Sequence, residues 1–411
     1  MSIATPIDAS MAQALDRLAS NSAASVDTLL QLSNQNSGSF NVAGVEACAD
    51  RMAELFAPLG GVDERIALAP YRSTDDRGQQ VERALARALR IRKRPDAPLR
   101  IFLCGHLDTV FATTHPFQQA QRSGDDRLNG PGVADLKGGL LVMLQVLTAL
   151  EASPHRERIG WEVLMNPDEE IGSQGSGPLL REAASRNHFG LVFEPAYADG
   201  GLASSRKGSG NFDIVVRGRA AHAGRNPEDG RNAIALASDL ALQLQALNTP
   251  AAGLTINVGY LHGGGALNIV PDLSVLKFNA RTETQEDEQR LLAALDAMLA
   301  RARQRDGYEL ELRGGFTRPP KPVSAGTARL QALLRDSGAA LGLDLQFRPT
   351  GGCCDGNNLQ AAGLANVDNL GVVGGEIHSD REWMRVSSIA ERAKLSALLL
   401  LRLASGASTW N

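Results

Sequence analysis

Leu99-Arg100-Ile101-Phe102-Leu103-Cys104-Gly105-His106-Leu107-Asp108-Thr109-Val110 is the stretch on which the fold turns. Entered after Pro98 and stopped at Gly105, Leu99 to Cys104 is a compact apolar run, the mark of a buried strand. Downstream, Leu136 to Leu150 is apolar nearly all round and predicts a buried helix. Ile159 to Met165 reads as the next strand, Gly177 to Ser185 as a shorter helix and Gly190 to Phe193 as a third strand. Strands alternating with helices imply an α/β fold, a mixed, largely parallel sheet with helices on both faces. In such sheets ligands sit beyond the carboxyl ends of the strands.

Upstream, Asn41 to Leu59 has Val42, Val45, Met52 and Leu55 at helical intervals and ends at Gly60-Gly61. Ile66 to Leu68 and Ala88 to Ile91 are short extended runs around a polar connection, Ser73 to Gln80. From about Arg206 the pattern changes. Asn211 to Val216, Thr255 to Leu261, Leu273 to Arg281 and Tyr308 to Leu312 read as strands, with helices at Arg231 to Leu247 and Gln285 to Arg303. The order β-α-β-β-α-β is that of a ferredoxin-like α+β unit. Arg318-Pro319-Pro320-Lys321-Pro322 closes it as a linker, and helix, strand and helix resume at Ala328 to Leu341, Leu343 to Phe347 and Ser387 to Leu403. The expected organisation is one domain formed by residues 1–205 and 317–411, interrupted by an inserted domain at 206–316.

The chain has 411 residues, 43% apolar and 21% charged, which suits a globular protein of two or three domains. Lys plus Arg number 42 against 46 for Asp plus Glu, so the net charge of -4 gives no reason to expect nucleic acid or an anionic membrane as partner. Four cysteines cannot staple a chain this long; Cys48 and Cys104 read as buried thiols of a reducing compartment. Met1 to Asn21 carries Asp8, Asp16 and Arg17 and lacks the basic start and apolar run of a secretory signal, so the cytoplasm is expected.

Chemistry-bearing residues gather at the strand ends. His106 follows the first strand, Glu169 and Glu170 the second, and Glu194 the third. Asp135 lies in the glycine-rich Gly130 to Gly139 loop, and His378 lies in Glu376-Ile377-His378-Ser379-Asp380. Singly, each is an ordinary loop residue. Converging at one edge, the carboxylates would repel strongly, and a pair of divalent cations removes that repulsion. Two imidazoles with several carboxylates suit zinc, with cobalt or manganese as substitutes. Asp108, two residues along an extended strand, points the same way as His106 and is placed to accept the other ring N–H of a metal-bound imidazole.

The segments Gly105 to Val110, Gly130 to Gly139, Asp168 to Ser173, Phe193-Glu194-Pro195 and His378-Ser379-Asp380 together resemble the co-catalytic zinc metallopeptidases. That family includes bacterial glutamate carboxypeptidases, aminoacylases and succinyl-diaminopimelate desuccinylase, and Glu194 is the residue type of the glutamate carboxypeptidase branch. The resemblance implies a zinc-peptidase-like catalytic domain with a lid. Asp135 would bridge two Zn2+ ions per subunit, His106 and Glu194 completing one site, Glu170 and His378 the other. Glu169 would be the general base of amide hydrolysis. In the inserted domain, Arg219 to Gly224 resembles the family's lid motif, in which a histidine, here His222, stabilises the oxyanion, often across a homodimer. Asn268 matches a substrate-binding asparagine, and Arg281 matches an arginine that grips the free carboxylate of a small-molecule or short-peptide substrate. Without the motif, His222 reads as a loop histidine and Arg281 as a surface residue; Lys207 reads as a lid hinge or as solvated.

One segment departs from the family pattern. Gly351-Gly352-Cys353-Cys354-Asp355-Gly356-Asn357 keeps Asp355 but carries two thiols where the glutamate carboxypeptidases have Gly and Thr. Packing and altered substrate contacts are the two readings. The expected activity is release of an amino acid with a free carboxylate, glutamate first. The alternatives are an N-acyl-amino-acid deacylase or conjugate hydrolase, and a non-catalytic binder of amino-acid conjugates.

Overall fold

The computed structural model describes residues 7–20 and 22–410. The first six residues, read above as lacking a secretory signal, and Asn21 lie outside this range. A six-stranded sheet forms the centre, in the order Val62–Ile66, Ala88–Lys93, Ile159–Asn166, Leu99–His106, Phe189–Val192 and Asn366–Val367. The last four strands run parallel, and the two at the other edge pair antiparallel, so the sheet is mixed and largely parallel as its pattern implies. Period-two alternation divides the Leu99–His106 strand between two cores. Ile101 and Leu103 enter one with the Gly138–Glu151 and Ser388–Ser405 helices, while Phe102 and Cys104 enter the other with Leu180, Val192 and Leu359.

The predicted Leu136 to Leu150 helix begins two residues later, at Gly138. Its N-terminus lies so close to the Phe193 carbonyl that a Cβ on Gly139 would stand 2.1 Å from that oxygen. Asp135 therefore falls in an irregular turn ahead of the helix, where Gly132 adopts φ +73°. The segment Val133–Glu151, with mean hydropathy 1.6, is long and apolar enough to cross a bilayer, yet 89% of it is buried here as a core helix.

A second sheet, wholly antiparallel, has the order Thr255–Gly263, Leu273–Thr282, Gly208–Arg217 and Glu309–Arg318. The Ala233–Ala246 and Gln285–Arg303 helices cover one of its faces with an apolar core that includes Phe212, Leu240, Phe278 and Leu295. This is the ferredoxin-like arrangement.

Two local expectations are corrected. Leu343 to Phe347 is not a strand, because the Leu343 amide donates to the Gly338 carbonyl at 2.8 Å to close the preceding helix, with Gly342 at φ +76°. The strand is Phe347–Thr350, paired parallel with Leu202–Arg206 away from the central sheet. The polar connection Ser73 to Gln80 is the end of a hairpin, Tyr71–Thr74 with Gln80–Arg83. The two chain crossings between the sheets pair with each other through Arg206 and Lys321 backbone hydrogen bonds of 3.0 and 2.9 Å. Their side chains converge on buried Asp368: Lys321 Nζ lies 2.5 Å and Arg206 Nε 2.9 Å from Oδ2.

Burial raises the Asp368 carboxyl, and the Arg206 and Lys321 charges pull it down further, to about 2. Its folded value lies below the roughly 3.9 of a free aspartate. The stabilisation is therefore present above about pH 4 and is lost as pH falls through about 2. Asp368→Asn strands two buried cations and should lower unfolding stability by about 3–5 kcal/mol in denaturant titrations at neutral pH.

Candidate metal centre and active site

The carboxyl end of the parallel strands gathers the acidic loops. His106 is the last residue of its strand and registers with Asn166, and the Leu107 amide donates to the Asn166 carbonyl at 2.8 Å. The loop after the second strand turns sharply, with Gly172 at φ +99° and its amide bonded to the Glu169 carbonyl at 2.9 Å. Asp168 stabilises that turn by accepting from the Gly175 and Ser176 amides at 2.8 and 3.2 Å. His378 arrives from a small antiparallel sheet, in which Gly374–Gly375 and Trp383–Arg385 pair with each other and the latter with Arg127–Asn129.

Five of the sequence-selected residues meet in two overlapping clusters, His106–Asp135–Glu194 and Asp135–Glu170–His378, with one potential ligand atom from each residue within 4.8 Å of the others in its cluster. Asp135 belongs to both. Its Oδ1 lies 3.1 Å from His106 Nε2, and its Oδ2 lies 3.3 Å from His378 Nε2. His378 Nε2 is also 3.2 Å from Glu170 Oε2. Glu169 belongs to neither cluster: its Oε1 lies 2.7 Å from Arg318 Nη2, which also donates to the Glu169 carbonyl at 2.6 Å and to Ser173 Oγ at 3.0 Å.

Charge strain accompanies this burial. Desolvation, with the charge of Asp135, raises the Glu194 carboxyl to about 8. Glu169 is held well above the usual carboxylate range by burial, against the pull of Arg318. Glu170 is raised by burial and by Asp135. The carboxylates hold His378 protonated up to about 11, chiefly through its hydrogen bonds to Asp135 and Glu170. Two imidazoles with three carboxylates at this spacing fit a pair of divalent ions, which would relieve that repulsion.

The remaining site residues are placed less uniformly. His106 Nδ1 lies 2.9 Å from the Asp108 carbonyl and 3.4 Å from its carboxylate, so the nearer partner is the backbone rather than the expected side chain. The carboxylate instead accepts from Ser39 Oγ at 2.7 Å and from the Glu169 and Glu170 amides at 3.2 Å. His222 bridges Ile269 on an exposed ladder in the second domain, where the Ala223 amide donates to the Asn268 carbonyl at 2.9 Å. Among the described residues neither His222 nor Asn268 contacts the acidic clusters. Arg281 donates from Nη1 to Cys353 Sγ at 3.0 Å and from Nε to Asn279 Oδ1 at 2.9 Å.

Three contributors escaped the sequence reading. Glu382 accepts from the Gly132, Ala134 and Asp135 amides at 3.1, 2.9 and 3.0 Å and so shapes the Asp135 loop. Arg318, read as linker, holds Glu169. Asp355, noted only as a retained residue, accepts from Ser173 Oγ at 2.5 Å and Asn166 Nδ2 at 2.8 Å beneath the Glu169 loop. Only the position of Glu382 four residues after His378 hinted at its place.

The model of peptidase family M20/M25/M40 matches residues 102–402. Carboxypeptidase G2 of Pseudomonas sp. (strain RS-16) is 32% identical over 314 residues, covering 74% of each chain. Succinyl-diaminopimelate desuccinylase of Verminephrobacter eiseniae is 28% identical over 368 residues, covering 83% of this chain and 88% of that one. Among solved structures, the M20 family metallo-carboxypeptidase Sso-CP2 of Sulfolobus solfataricus superposes with a TM-score of 0.72 at 16% identity, over 93% of this chain and 99% of that one.

Cys353 differs from the other three thiols. Burial disfavours its ionisation, but Arg318, with its Nη1 at 3.7 Å, and Arg281 outweigh that and lower its pKa. Burial raises Cys48, Cys104 and Cys354. Under limiting iodoacetamide, mass spectrometry should find Cys353 alkylated first, with half-maximal rate below the roughly pH 8.5 of a free thiol.

Proposed function

This chain belongs to peptidase family M20/M25/M40, and on that premise we propose that it is a di-zinc amidohydrolase that releases an amino acid with a free carboxylate, glutamate being the first candidate. That it is a metal-dependent hydrolase of small peptide or amide substrates follows from the family; zinc, the residue roles and the leaving group are our reading. The observation that carries it is Asp135 shared between two ligand clusters, with Glu169 in neither of them and paired to Arg318. In this reading residues 1–205 and 317–411 form the catalytic domain and 206–316 the lid.

His106, Asp135 and Glu194 would hold one ion, and Asp135, Glu170 and His378 the other. Such ions, when bound, supply Lewis acidity toward an amide carbonyl and lower the pKa of water. The chain's own groups do the rest. Glu169 takes a proton from the attacking water and delivers it to the departing nitrogen, and its placement depends on Arg318. Arg281 grips the free carboxylate, for which a guanidinium is suited by its paired N–H groups. From the lid, His222 of a second copy of the chain stabilises the oxyanion and Asn268 binds the substrate. Pairing through the lid is supported by apolar exposure beside these residues: Leu267 is 99% and Ile269 52% exposed, and Thr255–Gly263 is an edge strand. The expected location is the cytoplasm.

The thiol of Cys353 against Arg281 supports the conjugate-hydrolase alternative, since it alters the surroundings of the carboxylate grip. A panel of acyl-glutamates, acyl-aspartates and dipeptides separates the two readings by kcat/KM.

Glu169→Gln should lower kcat by about 10²–10⁴ while metal analysis shows ion content unchanged; wild-type turnover in that variant would remove the general-base role. Chelation should abolish hydrolysis, and zinc, cobalt or manganese should restore it. Arg281→Gln should raise KM at least tenfold for acyl-amino acids, but not for their carboxamides. Sedimentation is expected to show a dimer, and a fully active monomer would exclude a role for His222 in trans.

A further inference from the structure

The lid sheet has one apolar face and one polar face, and the polar one opens on a cavity of about 670 Å³. Ile256, Phe212 and Phe278 point into the lid core, so their neighbours Asn257, Asn211 and Asn279 stand on the opposite face. Register places the three amides in one row: Asn257 opposes Asn279, which opposes Asn211. Asn279 Nδ2 donates to Asn211 Oδ1 at 2.8 Å, and Asn257 is exposed. In the fourth strand Gly315 continues the row with nothing within 4 Å of where its Cβ would stand. Space is therefore left above a line of hydrogen-bonding groups.

This row is connected to the active site through its inner member, Asn279. From Glu169 the contacts run to Arg318 at 2.7 Å, on to Cys353 at 3.7 Å, to Arg281 at 3.0 Å and to Asn279 at 2.9 Å. Ile171, next to Glu170, lines the same cavity. At its far end the cavity is closed by the Tyr71–Arg83 hairpin, whose Thr74 carbonyl accepts from Lys277 Nζ. Of the cations that line it, Arg72 pairs with Glu82 at 2.9 Å and Arg313 with Glu311 at 2.6 Å, while Lys277 has no carboxylate ion pair among the described residues and leaves its ammonium to an anion. Lys277 lies four residues from Arg281 on the same face of one strand, about 13 Å away along it.

We propose that this cavity is a subsite for the side chain of the departing amino acid, and that it takes a polar chain carrying an amide and ending in a carboxylate. The inference rests on the reading of Arg281 as the grip for the α-carboxylate. With that group at Arg281, the same face of the strand leads past Asn279, where the asparagine row crosses it, to Lys277, and this is the course assigned to the departing side chain. The side chain of glutamate itself leaves most of the cavity open. A γ-linked extension supplies one amide to the asparagine row and a carboxylate to Lys277.

The test uses the zinc-loaded, full-length protein and two readouts. In calorimetry the expected affinity order is γ-glutamylglycine over γ-glutamylglycinamide over glutamate, the first exceeding the last at least tenfold. Asn257→Phe, which fills the cavity from an exposed position, should shrink that difference to within twofold. In hydrolysis, the kcat/KM ratio of N-acetyl-γ-glutamylglycine to N-acetylglutamate should fall at least tenfold in the same variant. Equal affinity of the wild-type protein for the three ligands would overturn the subsite without any variant, as would a preference that survives Asn257→Phe in folded protein. Intact binding order with neither acetyl compound hydrolysed would support the subsite and defeat the hydrolytic reading.

Discussion

The constraint on which this structure depends is the burial of several acidic groups at one edge of a parallel sheet. Asp135 has ligand-type atoms of His106 and Glu194 within 4.8 Å in one cluster and of Glu170 and His378 in the other, and Glu169 is paired with Arg318. Water would solvate such a cluster on the surface; here it is largely excluded, and the raised Glu194 and Glu170 carboxyls register the cost. A divalent pair is the chemistry that relieves it. Much of the surrounding architecture keeps these groups from moving apart.

That restraint comes from carboxylates that accept backbone amides. Glu382 organises the Asp135 loop, Asp108 the amides of Glu169 and Glu170, and Asp168 the turn beyond them. Asp355 braces the same turn from beneath through Ser173. Each bond is modest, yet together they hold two consecutive glutamates to different partners, Glu170 to His378 and Glu169 to Arg318. Arg318 ends the last strand of the second sheet and Arg281 lies on its Leu273–Thr282 strand, so that sheet brings one guanidinium against Glu169 and another against Cys353. The buried Arg206–Asp368–Lys321 group ties together both chain crossings between the sheets.

The alternation of strands and helices, and the change of pattern near Arg206, were legible because each depends on residues close together in the chain. The same is true of His106, Asp135, Glu170, Glu194 and His378, which end strands or sit in short loops of recognisable composition. Glu382 was not legible, since the amides it accepts from lie 247 to 250 positions away. Arg318 looked like the start of a proline-rich linker, because nothing nearby in sequence names Glu169 as its partner. The Leu343 strand failed for a local reason: its amide closes a helix instead of entering a ladder.

By itself, then, the sequence determined the alternation of elements, the ferredoxin-like insertion and the set of ligand-type side chains, because periodicity and composition act over a few residues. Only the tertiary structure decided how those side chains divide: which oxygen of Asp135 faces which histidine, and which glutamate meets Arg318. It also decided that three asparagines from separate strands form one row, since cross-strand register comes from pairing over tens of residues. Local pattern specifies what a segment becomes. Where its side chains end up depends on partners that only the folded chain brings near.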